Sequence, residues 1–214
     1  MRRPKRVSCL VLSSVVVLFV PLMSVERAAA PLPQAATSPK PAAQPAAQKG
    51  HGRVGVYLTA YGVLREDVLR GVLEARKAGK IDTLVINVKD NHGDVSYASN
   101  VPLAKAMGVS TGRLDFKKLI PILRAQGFYL IARQVVFNDP ILAARLGYSD
   151  GWIPANDPTA VAYNLAIAEE VASLGFDELQ FDYIRYADGG GLATGYEARF
   201  AAIDSFLTKV EASV

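Results

Sequence analysis

The 214-residue chain carries 24 Lys and Arg against 20 Asp and Glu, and half of its residues are hydrophobic, enough to bury a core of single-domain size. Seven of the basic residues but only one of the acidic ones fall in the first 50 positions, which leaves 17 basic against 19 acidic residues beyond them; a phosphate-gripping basic surface, and nucleic acid as a partner, are therefore not expected. Cys9 is the sole thiol and lies near the N-terminus, so disulfides, Cys-ligated zinc and a cysteine nucleophile are excluded from the folded region.

Residues 1–30 read as a secretory signal peptide. Arg2, Arg3, Lys5 and Arg6 supply the positive start, Val7 to Met23 the apolar run, and Ala28-Ala29-Ala30 the small-residue cleavage pattern. The competing reading is an uncleaved anchor, since the run approaches the ~18 residues of a spanning helix. Pro21 and the A-x-A site favour cleavage, so no stable membrane span is expected in the mature chain, and the product is expected to be secreted or held in the cell envelope. Arg6-Val7-Ser8 before Cys9 is not a lipobox. Residues 31–50, "PLPQAATSPKPAAQPAAQKG", have no apolar period; they read as a semi-rigid polyproline spacer or as plain disorder. The domain proper is expected over 51–214.

Its predicted elements alternate. "VGVYLTAY" (54–61) reads as strand one, followed by a helix over 65–78 with Val68, Leu69, Val72 and Leu73 on one face. "TLVINVKD" (83–90) is strand two, followed by a polar loop. Residues 115–127 form a helix with Asp115 as N-cap, and "FYLIARQVVF" (128–137) is strand three. "DPILAARLG" and "DPTAVAYNLAIAEEVASLG" each pair an Asp cap with proline at the first helical position and end in glycine. "DELQFDYIRY" (177–186) is strand four, and a last helix runs from about Tyr196 to the C-terminus.

Four strands each followed by helix imply a parallel α/β sheet. The fold class expected is α/β of TIM-barrel type, (β/α)8, with about the first four βα units present, because 51–214 is nearer half than all of the ~250 residues such a barrel takes. A doubly wound sheet would fit the length, but "TAYGVLRED" after strand one lacks a Gly-rich fingerprint.

In parallel α/β folds reactive groups gather at the carboxyl ends of strands. Polar residues concentrate there in every strand: Tyr57, Thr59 and Tyr61; Asn87, Lys89 and Asp90, then Asn91 to Asp94; Arg133 and Gln134, then Asn138 and Asp139; Gln180, Asp182 and Arg185. The phrases "VGVYLTAY", "INVKDNHGDVSYAS", "VPLA", "YLIARQVVFNDP" and "YNLAIAEEVASLGFDELQFDYIRY" occur in that order from about 53 to 187. In them the chain resembles the bacterial barrel family catalogued as "putative glycosyl hydrolase" and otherwise as a domain of unknown function. The resemblance implies a barrel related to the α-amylase clan of glycosidases, with the strand-four aspartate, Asp182, as the expected nucleophile.

Glycoside hydrolysis needs two carboxyl groups, one ionised and one protonated, about 5–9 Å apart. Asp182 is the first candidate, because it shares a strand face with Gln180 while Phe181 and Tyr183 are expected to pack outward against helices. The alternative is an aspartate ion-paired to Arg133 or Lys89 for structure. In the α-amylase-like clan the acid sits on strand five, and the chain ends at Val214 before a fifth strand. Asp90, Asp94 and Asp139 lie on the expected rim, but none has a justified acid role. Lys89, Asp90 and Arg133 are expected around the substrate, with Lys89 and Arg133 as donors to sugar hydroxyls or as fixed positive charge; the alternative is salt bridges to Asp90 and Asp139. Gln180 and Arg185 join them, and Tyr57 and Trp152 are candidates for stacking on sugar rings or for simple packing.

His92 stands alone in "DNHGD", which reads as a solvated loop, and "DGGGLATG" (188–195) lacks the Lys-Ser/Thr of a P-loop. No metal and no cofactor are expected. The function that follows is a secreted glycoside hydrolase cleaving O-glycosidic bonds of a cell-envelope or environmental polysaccharide. Its alternative is a non-catalytic carbohydrate-binding or envelope-interaction module on an incomplete barrel. The partner expected is a carbohydrate polymer or oligosaccharide, and open edges on strands one and four predict self-association.

Overall fold

A computed structural model describes residues 6–8, 52–187 and 195–214. The rest of the predicted leader, the Pro/Ala-rich spacer and most of the 188–195 glycine loop lie outside the described residues. In chain order the elements are β1 (Arg6–Ser8), β2 (Gly55–Leu58), α1 (Ala60–Leu64), α2 (Glu66–Lys77), β3 (Thr83–Lys89), α3 (Pro102–Met107), α4 (Phe116–Ala125), β4 (Tyr129–Val135), α5 (Pro140–Leu146), α6 (Pro158–Leu174), β5 (Glu178–Asp182) and α7 (Tyr196–Ser213).

Aspartates start the helices they were expected to start. The Asp115, Asp139 and Asp157 carboxylates accept from the backbone N–H groups of Lys118, Leu142 and Ala160, each three residues on, and so satisfy donors that the first helical turn leaves open. Proline occupies the first position of α5 and α6. α6 stops at Gly175, whose φ of 106° lies where a side chain is disfavoured.

All strand pairs are parallel, in the order β1-β5-β4-β3-β2. The expected strands one to four are β2 to β5, and each is the neighbour of the one before it. Consecutive right-handed crossovers place the connecting helices on one side of the sheet, which is the arrangement of four successive units of a (β/α)8 barrel. The core lies on that side: Leu84, Ile86, Leu130, Ala132, Leu179 and Phe181 are buried against the helical layer. On the opposite face Val85, Ile131, Arg133, Gln180 and Asp182 are only partly covered, and Tyr57 is exposed.

The structure departs from expectation at four places. Strand one ends at Leu58 because Thr59 turns the chain into α1, its hydroxyl accepting from the Gly62 N–H at 3.0 Å. A short helix, α3, lies in the stretch expected to be a polar loop. The segment leading into it is held from α6 by Glu170, whose carboxylate accepts from the Tyr97 hydroxyl at 2.9 Å and from the Asn100 N–H at 2.6 Å. β5 stops at Asp182 rather than 186, since Tyr183 has a φ of 54°, the left-handed region that no strand continues through. Finally, the outer edge of β5, expected to be open, pairs with β1, from Arg6↔Glu178 to Ser8↔Gln180. Removal of the leader at the predicted cleavage site would take this edge strand with it. β2 keeps the open edge expected of it, pairing among described residues with β3 alone.

Candidate active site

Each of the four barrel strands contributes one residue to a cluster at the carboxyl end of the open face. Asp182 is the last residue of β5, and its Oδ2 accepts from Arg133 Nε at 2.9 Å and from Nη2 at 2.6 Å. The remaining arm of the guanidinium, Nη1, donates to Asn87 Oδ1 on β3 at 2.7 Å. The same guanidinium carbon stands 5.2 Å from the ring centre of Tyr57 on β2. Register explains the meeting, for Asn87, Arg133 and Gln180 are lateral neighbours across β3, β4 and β5, and side chains of paired residues share a face.

The cluster is open on one side. The Arg133 side chain is 15% exposed and that of Asp182 45%, so the arginine is walled in while the carboxylate faces solvent. Asp182 Oδ1 accepts from the Tyr183 N–H at 2.7 Å. Arg133 fills both acceptor sites of Oδ2, so the acceptor capacity left on Asp182 is on Oδ1, which takes one bond. Burial pushes the Tyr57 phenol above its ordinary value; Arg133 works against that shift, and Asp90 and Asp182 add to it. Tyr57 therefore stays a neutral aromatic plane with a hydroxyl donor beside the carboxylate.

Trp152 and Arg185 join this cluster through Tyr183. The Trp152 and Tyr183 ring centres are 5.5 Å apart, and the Arg185 guanidinium lies 4.6 Å from the Trp152 ring centre. Tyr183 was expected to pack outward against helices; its left-handed backbone turns it out of the strand and against Trp152 instead. Phe181 does pack outward, edge-on to Phe206 of α7. Gln180 sits half-buried on the open face, in register with Arg133.

Lys89 is placed elsewhere. Strict alternation from Val85 and Asn87 would put it on the open face, but the β3–β4 register slips between Asn87 and Lys89, so that Lys89 pairs with Gln134. Such a bulge carries the side chain to the helical side. There Lys89 is fully buried, 2.8 Å from Asp139 Oδ2, and donates to the Val135 carbonyl at 3.1 Å. Of the two roles open to it in the sequence, the structure gives it the ion pair with Asp139. Gly93 lies over this pair with a φ of 91°, and a Cβ there would meet Asp139 Oδ1 at 2.6 Å. Gly93→Ala is accordingly expected to cost about 1–3 kcal/mol through strain and displacement of the buried carboxylate, measurable as a lower thermal midpoint.

The other acids are engaged. Asp90 Oδ1 accepts from the N–H groups of His92 and Asp94, at 2.9 and 3.0 Å, and shapes its own loop. Asp94 pairs with Arg113 at 2.7 Å. Glu178 shares the face of Asp182 but lies four residues back, ~13 Å along a strand, beyond the carboxyl separations used by glycosidases. Among the described residues no group of three or more His, Cys, Asp or Glu is placed to hold a metal ion, and no helix is long and apolar enough to cross a membrane. Asn87 and Tyr183 are the cluster members that sequence reasoning did not single out as site residues. The polar end of strand two pointed at Asn87, whereas nothing local announces the backbone turn at Tyr183.

Comparison with known proteins places this geometry. A crystal structure of a hypothetical protein from Ruminiclostridium thermocellum ATCC 27405 superposes with a TM-score of 0.68 at 26% identity, over 74% of this chain and 92% of that one. Alpha-L-fucosidase isoenzyme 1 from Paenibacillus thiaminolyticus aligns at 17% identity and a TM-score of 0.46, over 76% of this chain and 47% of that one. No curated protein matches. A family model described as "Putative glycosyl hydrolase domain" matches residues 55–149 and 145–214, which spans every barrel strand and the whole cluster around Asp182. The chain belongs to that glycosyl hydrolase domain family.

Proposed function

We propose that the protein is an exported glycoside hydrolase that cleaves O-glycosidic bonds of a cell-envelope or environmental polysaccharide, with Asp182 as its nucleophilic carboxylate. The observation that carries this reading is the solvent-facing Asp182 at the carboxyl end of the fourth barrel strand, fixed by a guanidinium that is itself fixed by Asn87. A carboxylate held in a set orientation, by Arg133 at Oδ2 and by the Tyr183 N–H at Oδ1, is prepared to meet an anomeric carbon without reorganising. Tyr57 and Trp152 offer planes to the apolar faces of sugar rings, and Gln180 and Arg185 offer donors to hydroxyls. The apolar leader supports export, which suits a polymer too large to enter the cell.

One observation favours the second reading, a carbohydrate-binding module without turnover. Two arms of Arg133 converge on one oxygen of Asp182, the arrangement of a charge already compensated. The same experiment separates the two. The mature chain and its Asp182→Asn variant are screened on a polysaccharide panel for released reducing ends and for binding. Hydrolysis is expected from the parent, falling about a thousandfold or more in the variant with the thermal midpoint retained. Unchanged turnover in a folded variant removes Asp182 from the mechanism. Binding without any released ends from the parent selects the module.

A further inference from the structure

We infer that the hollow between the end of β5 and the start of α7 is a second sugar subsite, which takes a ring of an extended polysaccharide beyond the unit held at Asp182. The inference rests on the carbohydrate reading above and extends it to the length of the substrate. The hollow has a volume of about 300 Å³ and is lined by Arg185, Tyr186, Tyr196, Arg199 and Phe200, with no carboxylate among its lining residues. Tyr196 and Phe200 are 75% and 62% exposed. They lie four residues apart on α7, so their rings share one helical face. Arg199 stands over both Tyr196 and Tyr186, at 5.6 and 5.4 Å from the ring centres, which ties the shelf together.

This shelf neighbours the candidate site. A smaller hollow of about 200 Å³, lined by Tyr148, Asp150 and Trp152, shares Tyr186 and Ala187 with it, and Trp152 leads through Tyr183 to Asp182. Each hollow is at or below the ~300–1,000 Å³ of a pocket for a drug-sized ligand, which suits single rings rather than one large molecule. Aromatic planes flanked by guanidinium donors match a pyranose, with an apolar face and a rim of hydroxyls. A second copy of the chain is the other occupant such a patch could take. Two aromatic side chains bury on the order of 300–500 Å² on each copy, well short of the ~800 Å² per partner of a stable interface.

The test uses the full mature chain carrying Asp182→Asn, which leaves polymers intact, with and without Tyr196→Ala and Phe200→Ala. Retardation in polysaccharide-containing gels measures binding, sedimentation measures self-association, and turnover of a short aryl glycoside is followed in the same two substitutions without Asp182→Asn. The expected result is about a tenfold or greater loss of affinity for the polymer that retards the parent most, with an unchanged thermal midpoint and unchanged turnover of the short substrate. Phe200→Ala alone should give part of the loss. Undiminished retardation overturns the inference, as does a parent that no polymer retards. A loss of self-association with retardation intact overturns it in favour of the second copy. Failure of the Asp182 reading is seen separately, in the turnover of Asp182→Asn.

Discussion

Lys89→Met is expected to destabilise the fold by about 3–5 kcal/mol, because it strands Asp139 as an unpaired charge in the interior. Both side chains of the pair are fully buried, and the neighbouring Tyr163 is buried as well, its phenol pushed up chiefly by burial. Without the ammonium, Asp139 Oδ2 loses its ion-pair partner in a site closed to solvent. Against a total stability of about 5–15 kcal/mol the loss is large, and it should appear as a marked fall in the urea midpoint. Asp139 also caps α5 through the Leu142 N–H at 2.9 Å, and asparagine can keep that bond without the charge. Lys89→Met with Asp139→Asn should therefore recover a substantial part of the loss. A single variant as stable as the parent would show that Lys89 does not neutralise Asp139.

The second large effect is expected at Phe206→Ala, at about 3–5 kcal/mol for a buried aromatic truncated in a packed core. Phe206 is 1% exposed and meets Phe137 and Phe181 edge-on, with ring centres 5.3 and 5.8 Å apart. Phe206 and Val210 are the buried residues of α7, so the helix depends on this contact to stay on the sheet. Hydrogen exchange should rise across 196–213 while β3, β4 and the Arg133–Asp182 cluster keep their protection. A cost below about 1 kcal/mol would mean that the aromatic triad does not hold the helix.

Much of the architecture is written locally. The Asp-Pro openings of α5 and α6, the Asp115 cap and the apolar runs of β3 and β4 are decided by a few neighbouring residues, and for that reason they could be read without knowing what they pack against. The alternation at 178–182 likewise puts Phe181 toward the helices and Asp182 toward the opposite face. The resemblance in "VKDNHG" and "FDELQFDYIRY" pointed to the family that the comparison shows.

What the sequence left open turns on single backbone irregularities and on choices between partners. Lys89 and Arg133 are equivalent as unpaired cations in the sequence, and Asp139 and Asp182 as unpaired anions. A one-residue slip after Asn87 sends Lys89 to the helical side and leaves Arg133 on the open one, so the pairing follows from register and not from residue type. The left-handed turn at Tyr183 ends β5 at its carboxylate and carries the ring to Trp152. A two-residue period measures only which side a residue is owed. Where the period breaks, the packed layers decide: Lys89, turned inward, must find its counter-ion Asp139 there, whereas Arg133 and Asp182 pair at a solvent-facing edge.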